Sequence, residues 1–148
     1  VLEKRAGVRL PPNAEGEGRP FDDYTLLRKL HLHDGEPFCL AEFYIATEVF
    51  RQFPRGAENK RKVVHLIGEY TDIAPALSHQ TVTVEPADYD LAHMLGYAFS
   101  APIAKIWRTM CDSRGRVVSA GSAWYRGDRF ILDLVNKPGL AIPKRRAK

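Results

Sequence analysis

Two stretches of this chain repeat one order of parts, and that order restricts it to folds built from antiparallel hairpins. The second stretch is the clearer. It runs Thr81-Val-Thr-Val-Glu-Pro-Ala-Asp88, a short helical pattern, Ile103 to Met110, a polar turn, then Val117 to Tyr125. The first runs Val8-Arg-Leu-Pro-Pro-Asn-Ala14, a polar Gly-rich stretch, Tyr24 to His33, a turn, then Phe38 to Ile45. The turns, His33-Asp-Gly-Glu-Pro37 and Cys111-Asp-Ser-Arg-Gly-Arg116, carry the Asp and Gly that tight hairpins use. Helical patterns are few and short. Asn59 is expected to cap a helix through Tyr70, with Val63, Val64, Ile67 and Tyr70 as its apolar stripe. Pro86 to Leu95 reads as another, stopped by Gly96. The sum is an α+β fold, one antiparallel sheet with a few flanking short helices, made of two pseudo-repeated hairpin units.

Composition narrows the function classes. At 148 residues the chain has room for one domain, expected to span 1–148. No apolar run approaches the ~20 residues of a membrane span, and no signal pattern opens the sequence, so a cytoplasmic location without a membrane partner is expected. Val1 reads as though it begins inside an element, as in a piece of a longer chain. Cys39 and Cys111 stand alone and read as buried free thiols. His31-x-His33 has no third ligand at a metal-binding interval, so neither a metal nor a cofactor is expected. The net charge of +4 comes largely from Lys60-Arg61-Lys62 and Lys144-Arg145-Arg146. Both runs read as solvated surface, without the interleaved aromatics of a nucleic-acid platform. There is no glycine-rich phosphate loop, Gly-x-Ser-x-Gly or His-Glu-x-x-His, which lowers the case for catalysis.

Hairpin geometry points to a candidate site. If the second turn spans Asp112 to Gly115, Cys111 pairs with Arg116 and Arg108 lies opposite Ser119. Arg108, Ser119, Gly121, Ala123 and Tyr125 then share one face. Small side chains beside an Arg leave room, and a guanidinium fork suits a carboxylate or phosphate. The same pattern fits an Arg108 paired with an acid and a Tyr125 that caps the core. In the first hairpin, pairing Asp34 with Pro37 sets Lys29 opposite Glu42, with His31 and Tyr44 on the same side. There a Lys29–Glu42 ion pair on a wet surface competes with ligand contact.

These residues also resemble a family. Ile103-Ala-Lys-Ile-Trp-Arg108-Thr-Met-Cys-Asp112-Ser-Arg-Gly115-Arg-Val, preceded by Ala92-x-x-Leu95-Gly96, looks like the strand–Arg–Asp–Gly hairpin of the UTRA domain. Trp124-Tyr125-Arg126-Gly127-Asp128-Arg129-Phe130 resembles that family's closing Tyr-Arg-x-Asp-Arg signature. The likeness extends from Tyr24 to Leu134, and Val1-Leu2-Glu3 looks like the first strand after a linker. UTRA domains are the ligand-sensing modules of the HutC branch of GntR-type bacterial regulators. The resemblance implies a chorismate-lyase-like fold, a homodimer and a small effector bound beside the sheet. It implies DNA contact only through a winged helix-turn-helix domain expected to lie outside this chain.

For ligand contacts, the resemblance implies Lys29 and His31 where sugar-phosphate-binding relatives carry Arg-x-Arg. Ala41 takes the place of their Glu, with Glu42 one residue later, and Lys62-Val63-Val64 stands roughly where they have Ser-x-Tyr. Tyr125 matches. These departures argue against a sugar phosphate and leave a small organic acid, or another anion, on Lys29, His31, Glu42, Arg108 and Tyr125. Three functions follow: a non-catalytic sensor, a chorismate-lyase-like enzyme that turns its ligand over, or a dimerisation module whose pocket is filled by side chains.

Overall fold

The computed structural model describes residues 1–74 and 76–133, with backbone alone at 77 and 78. Six strands among the described residues pair antiparallel throughout: β1 (Glu3–Val8), β2 (Tyr24–His33), β3 (Glu36–Ala46), β4 (Ala76–Pro86), β5 (Pro102–Cys111) and β6 (Val117–Arg126). Their order is β1-β2-β3-β6-β5-β4. The two repeats of the sequence are therefore two three-stranded meanders, joined where β3 pairs with β6. Each carries a helical insertion after its first strand. In the first it is a 3-10 turn at Pro12–Ala14, and in the second it is α3 (Tyr89–Leu95). No helix among the described residues is long and apolar enough to cross a membrane.

Helices cover both faces. α1 (Thr47–Phe50) and α2 (Val63–Tyr70) lie over one face, where Leu66 and Ile67 pack with Leu27, Ile45 and Val49. α3 covers the other with Leu91, Ala92 and Leu95 against Leu40 and Ile103. It begins at Asp88, whose carboxylate accepts the Leu91 N–H at 2.8 Å, and stops at Gly96 in the left-handed region (φ 55°). The stop is the expected one, but the start is not, because Pro86 is the last residue of β4, opposite Pro102. α2 is shorter than expected. Ala57–Asn59 form a separate 3-10 turn, and Asn59 bonds back to the Gly56 carbonyl at 3.4 Å. The buried stripe of α2 is Val63, Leu66 and Ile67, while Val64 and Tyr70 are exposed.

Both hairpin registers differ from expectation, with opposite consequences. In the first, Asp34 and Gly35 take positive φ (51° and 78°), making a two-residue turn with His33 opposite Glu36. A bulge at Phe38 then sets His31 opposite Cys39 and Lys29 opposite Ala41. This is one residue from the expected pairing, and side chains alternate with a period of two. Glu42 and Tyr44 therefore turn to the face opposite Lys29 and His31. In the second, the Asp112 carboxylate accepts the Arg114 and Arg116 N–H groups at 3.0 and 2.9 Å and draws Arg116 into the turn. With a further bulge at Val118, Arg108 falls opposite Gly121 and Met110 opposite Ser119. That displacement is two residues, so the expected shared face survives.

Candidate functional site

One face of the four central strands holds successive rows of side chains. Lys29, Ala41, Ala123 and Ile106 form one row; Leu27, Phe43, Gly121 and Arg108 form the next. On the other side lie His31, Cys39, Tyr125 and Ala104. Over them sits the start of α2 with Lys62, Val63 and Val64, enclosing a cavity of about 210 Å3. Its floor is low because the central strands contribute Ala41, Ala123 and Gly121. At Gly121 the strands run so close that a Cβ would overlap the Glu42 carbonyl and come within 2.9 Å of the Phe43 Cα.

Four of the five expected ligand residues line this cavity: Lys29, His31, Arg108 and Tyr125. Lys29 is only 6% exposed and donates from Nζ to the Arg61 carbonyl at 3.0 Å. Arg108 lies at the exposed edge, and its Nε donates to Gln80 Oε1 at 2.8 Å. The partner found there is thus a neutral amide and not the acid that a purely structural Arg108 would need. Tyr125 stands against Phe38 and Phe130, with ring centroids 6.3 and 5.5 Å away. Glu42 does not join them. The flipped face places it across from Arg28, 3.9 Å from its Nε, beside α3 and Trp124. Neither a Lys29–Glu42 pair nor a His31–Glu42 pair forms.

Sequence reasoning passed over Lys62 by treating its basic run as solvated. Arg61 does pair with Glu69 on the surface, but Lys62 lines the cavity. Its position in place of the family's Ser-x-Tyr was the available signal. Phe38 was missed because only the bulge turns it inward. The second basic run, Lys144-Arg145-Arg146, lies outside the described residues.

The sequence model of the UTRA domain matches residues 18–131. The chain belongs to the UTRA family. Solved structures share its fold. YydK of Bacillus subtilis matches with a TM-score of 0.75 at 16% identity, and the match covers 90% of this chain and 61% of that one. The ligand-binding domain of a Bordetella bronchiseptica protein assigned to the GntR-family regulators gives 0.72 at 16% identity, covering 91% and 87%. A GntR-family transcriptional regulator from Enterococcus faecalis V583 gives 0.68 at 18%, covering 90% and 100%. This UTRA chain thus spans less than two thirds of YydK. No curated protein matches it in sequence.

The cavity of this UTRA domain is basic and otherwise largely apolar in its lining. No carboxylate stands among its described lining residues, while Lys29, Lys62 and Arg108 all do. Burial lowers the Lys29 pKa, opposed by the nearby Glu58 carboxylate. Burial also lowers that of His31, and the charges of Lys29 and Lys62 add to the effect. Both groups gain from an anion placed between them. Beneath them burial pushes the Cys39 thiol up to about 12 and the Tyr125 phenol likewise to about 12. Both stay protonated at neutral pH, available as hydrogen-bonding groups and poor as nucleophiles.

Proposed function

We infer that this UTRA domain is the effector-binding module of a bacterial transcriptional regulator, and that it binds a small anionic metabolite without transforming it. The observation that carries the reading is a cavity on the sheet face, lined by the basic side chains of Lys29, Lys62 and Arg108 and, among its described lining residues, by no carboxylate. The fold is shared with GntR-family regulator structures, one of them a ligand-binding domain. An open cavity disfavours a dimerisation module whose pocket is filled. Protonated Cys39 and Tyr125 disfavour nucleophilic catalysis by either group. A cytoplasmic homodimer with a winged DNA-binding domain ahead of β1 completes the proposal.

Coupling to such a domain has a physical route. Residues 57–62 touch the cavity on one side, through the Lys29–Arg61 hydrogen bond and Lys62. On the other side Glu58, itself buried, binds Lys4 of β1 at 2.9 Å, and the Val1 amine reaches Asn59 at 3.4 Å. An anion that draws Lys62 and Lys29 together therefore acts on the segment that holds β1. Effectors of this kind typically shift affinity by about 1–3 kcal/mol.

The test is a thermal-shift screen of organic acids and sugar phosphates on the wild-type chain and on Arg108→Ala. A ligand at 100 times its Kd adds about 2.7 kcal/mol of stability. Arg108→Ala is expected to weaken binding at least about tenfold, and to leave unliganded stability within about 0.5 kcal/mol because the side chain is exposed. A hit recovered unchanged supports the sensor. Consumption of the hit would move the assignment to an enzyme, and a hit indifferent to Arg108 would place the site elsewhere.

A further inference from the structure

The placement of the cations within this cavity carries information about the shape of the ligand. Lys29 stands on β2 and Arg108 on β5, with β3 and β6 between them. Three strand spacings separate the two backbones, about 14 Å; both side chains line the cavity, Lys29 held at the Arg61 carbonyl and Arg108 at Gln80 of β4, the strand beyond β5. Between them the floor is apolar and nearly flat: Ala41, Ala123 and Gly121 on the central strands, flanked by Ile106 and Phe43. Val63 and Val64 of α2 close the space from above. The pattern across the sheet is cation, hydrocarbon, cation.

Both ends have hydrogen-bonding capacity left over. An ammonium has three donors and the Arg61 carbonyl takes one; a guanidinium has five and Gln80 takes one. The polar complement is also one-sided. The described lining residues include no Asp, Glu, Asn or Gln, so oxygen and nitrogen side-chain acceptors are confined to the Ser119 and Tyr125 hydroxyls and the His31 ring, beside the weakly accepting sulfurs of Cys39 and Met110. A polyhydroxylated ligand needs an acceptor for each buried hydroxyl, and an apolar floor leaves such groups unpaired.

We propose that the effector is an α,ω-dicarboxylate with a short hydrocarbon middle, one carboxylate on Lys29 at the buried end and the other on Arg108 at the exposed edge. This rests on the effector-site reading above and specifies the ligand class for that same site. Lys62 stands beside the buried end and adds to its positive potential, and the His31 ring offers a hydrogen-bonding nitrogen there.

Isothermal titration calorimetry on this chain with succinate, adipate, suberate, hexanoate and glucose 6-phosphate tests it. One of the three diacids is expected to bind at least about tenfold more tightly than hexanoate, with a preferred spacer length. Lys29→Met and Arg108→Ala should each bring that diacid down to the level of hexanoate. If Lys29→Met does not fold, the spacer series on the wild-type chain and the exposed Arg108 position still decide the matter. Equal binding of hexanoate and the best diacid would overturn the two-ended ligand. Tighter binding of glucose 6-phosphate, lost in Arg108→Ala, would overturn the dicarboxylate and leave the effector site standing. No Arg108-dependent binding by any of the five would sink the dicarboxylate and count against the site as well.

Discussion

At the scale of single residues, the decisive contacts are those that no local pattern announces. Tyr24 is 1% exposed; its hydroxyl accepts the Phe21 N–H at 3.0 Å and donates to the Val117 carbonyl at 2.7 Å. One side chain thus ties the start of β2 to the start of β6, 93 residues away. Tyr24→Phe keeps the ring and leaves two buried backbone groups without that partner. The expected loss is about 1–3 kcal/mol in urea denaturation; an unchanged midpoint would mean that water replaces the hydroxyl. In the sequence Tyr24 was only the first residue of a strand-like run. That Arg108 and Tyr125 share one face, by contrast, was legible, and both line the cavity. Each is a polar group in a hairpin of small or apolar neighbours, and parity alone placed them together.

At the scale of elements, bulges and turns determine what the cavity contains. The two-residue turn at Asp34-Gly35 and the bulge at Phe38 together move β3 by one residue relative to the expected register. That single step exchanges Glu42 for Ala41 on the cavity floor. A carboxylate in that place would neutralise the Lys29 end and change the ligand class. Gly121 is the matching feature on β6, where β3 and β6 approach too closely for a Cβ. Gly121→Ala must separate the two strands or distort them, and overpacking of this kind costs about 1–3 kcal/mol. The expected result is a lower denaturation midpoint together with loss of ligand binding, since the displaced strands carry the floor. Wild-type affinity in a destabilised Gly121→Ala would show that the floor does not contact the ligand.

For the whole molecule, burial of titratable groups sets the pH range of stability. His31 has a folded pKa below its ordinary 6.5. Its contribution is therefore present above about pH 6.5 and is lost as pH falls toward the lowered value, because the unfolded chain takes the proton first. Cys39 and Tyr125 act with the opposite sign. Their folded values, about 12 each, lie above the ordinary 9.0 and 10.0, so stability is present below pH 9 and falls as pH rises through that interval. Glu58 and Asp112 have lowered carboxyl pKa values and add an acid limb below about pH 4.5. Thermal denaturation against pH is expected to show a plateau between about 6.5 and 9. His31→Gln should flatten its upper acid shoulder, and a shoulder unchanged in that variant would show that another group titrates there. A bound anion raises the His31 pKa, so effector affinity should increase as pH falls through the same range.

Much of the fold was readable because it depends on short-range regularities. Two hairpins with Asp and Gly turns, and a glycine stop after Leu95, were enough for an antiparallel α+β fold of two repeats. The shared face of β6 was equally readable, since parity survives a two-residue error in register. Register itself was not readable, because it depends on how a turn closes and where an unpaired residue is accommodated. A one-residue step there moved Glu42 to the far face and Ala41 onto the floor. The position of α2 over the sheet was also a tertiary outcome, determined by Leu66 and Ile67 seeking the Leu27–Ile45 core. Packing of that pair brings Lys62 from a surface-like basic run to the cavity wall. The residue types of the candidate site were written locally, but their convergence depended on burial that joins Lys29 to Arg108 across distant parts of the chain, for which a linear sequence holds no local signal.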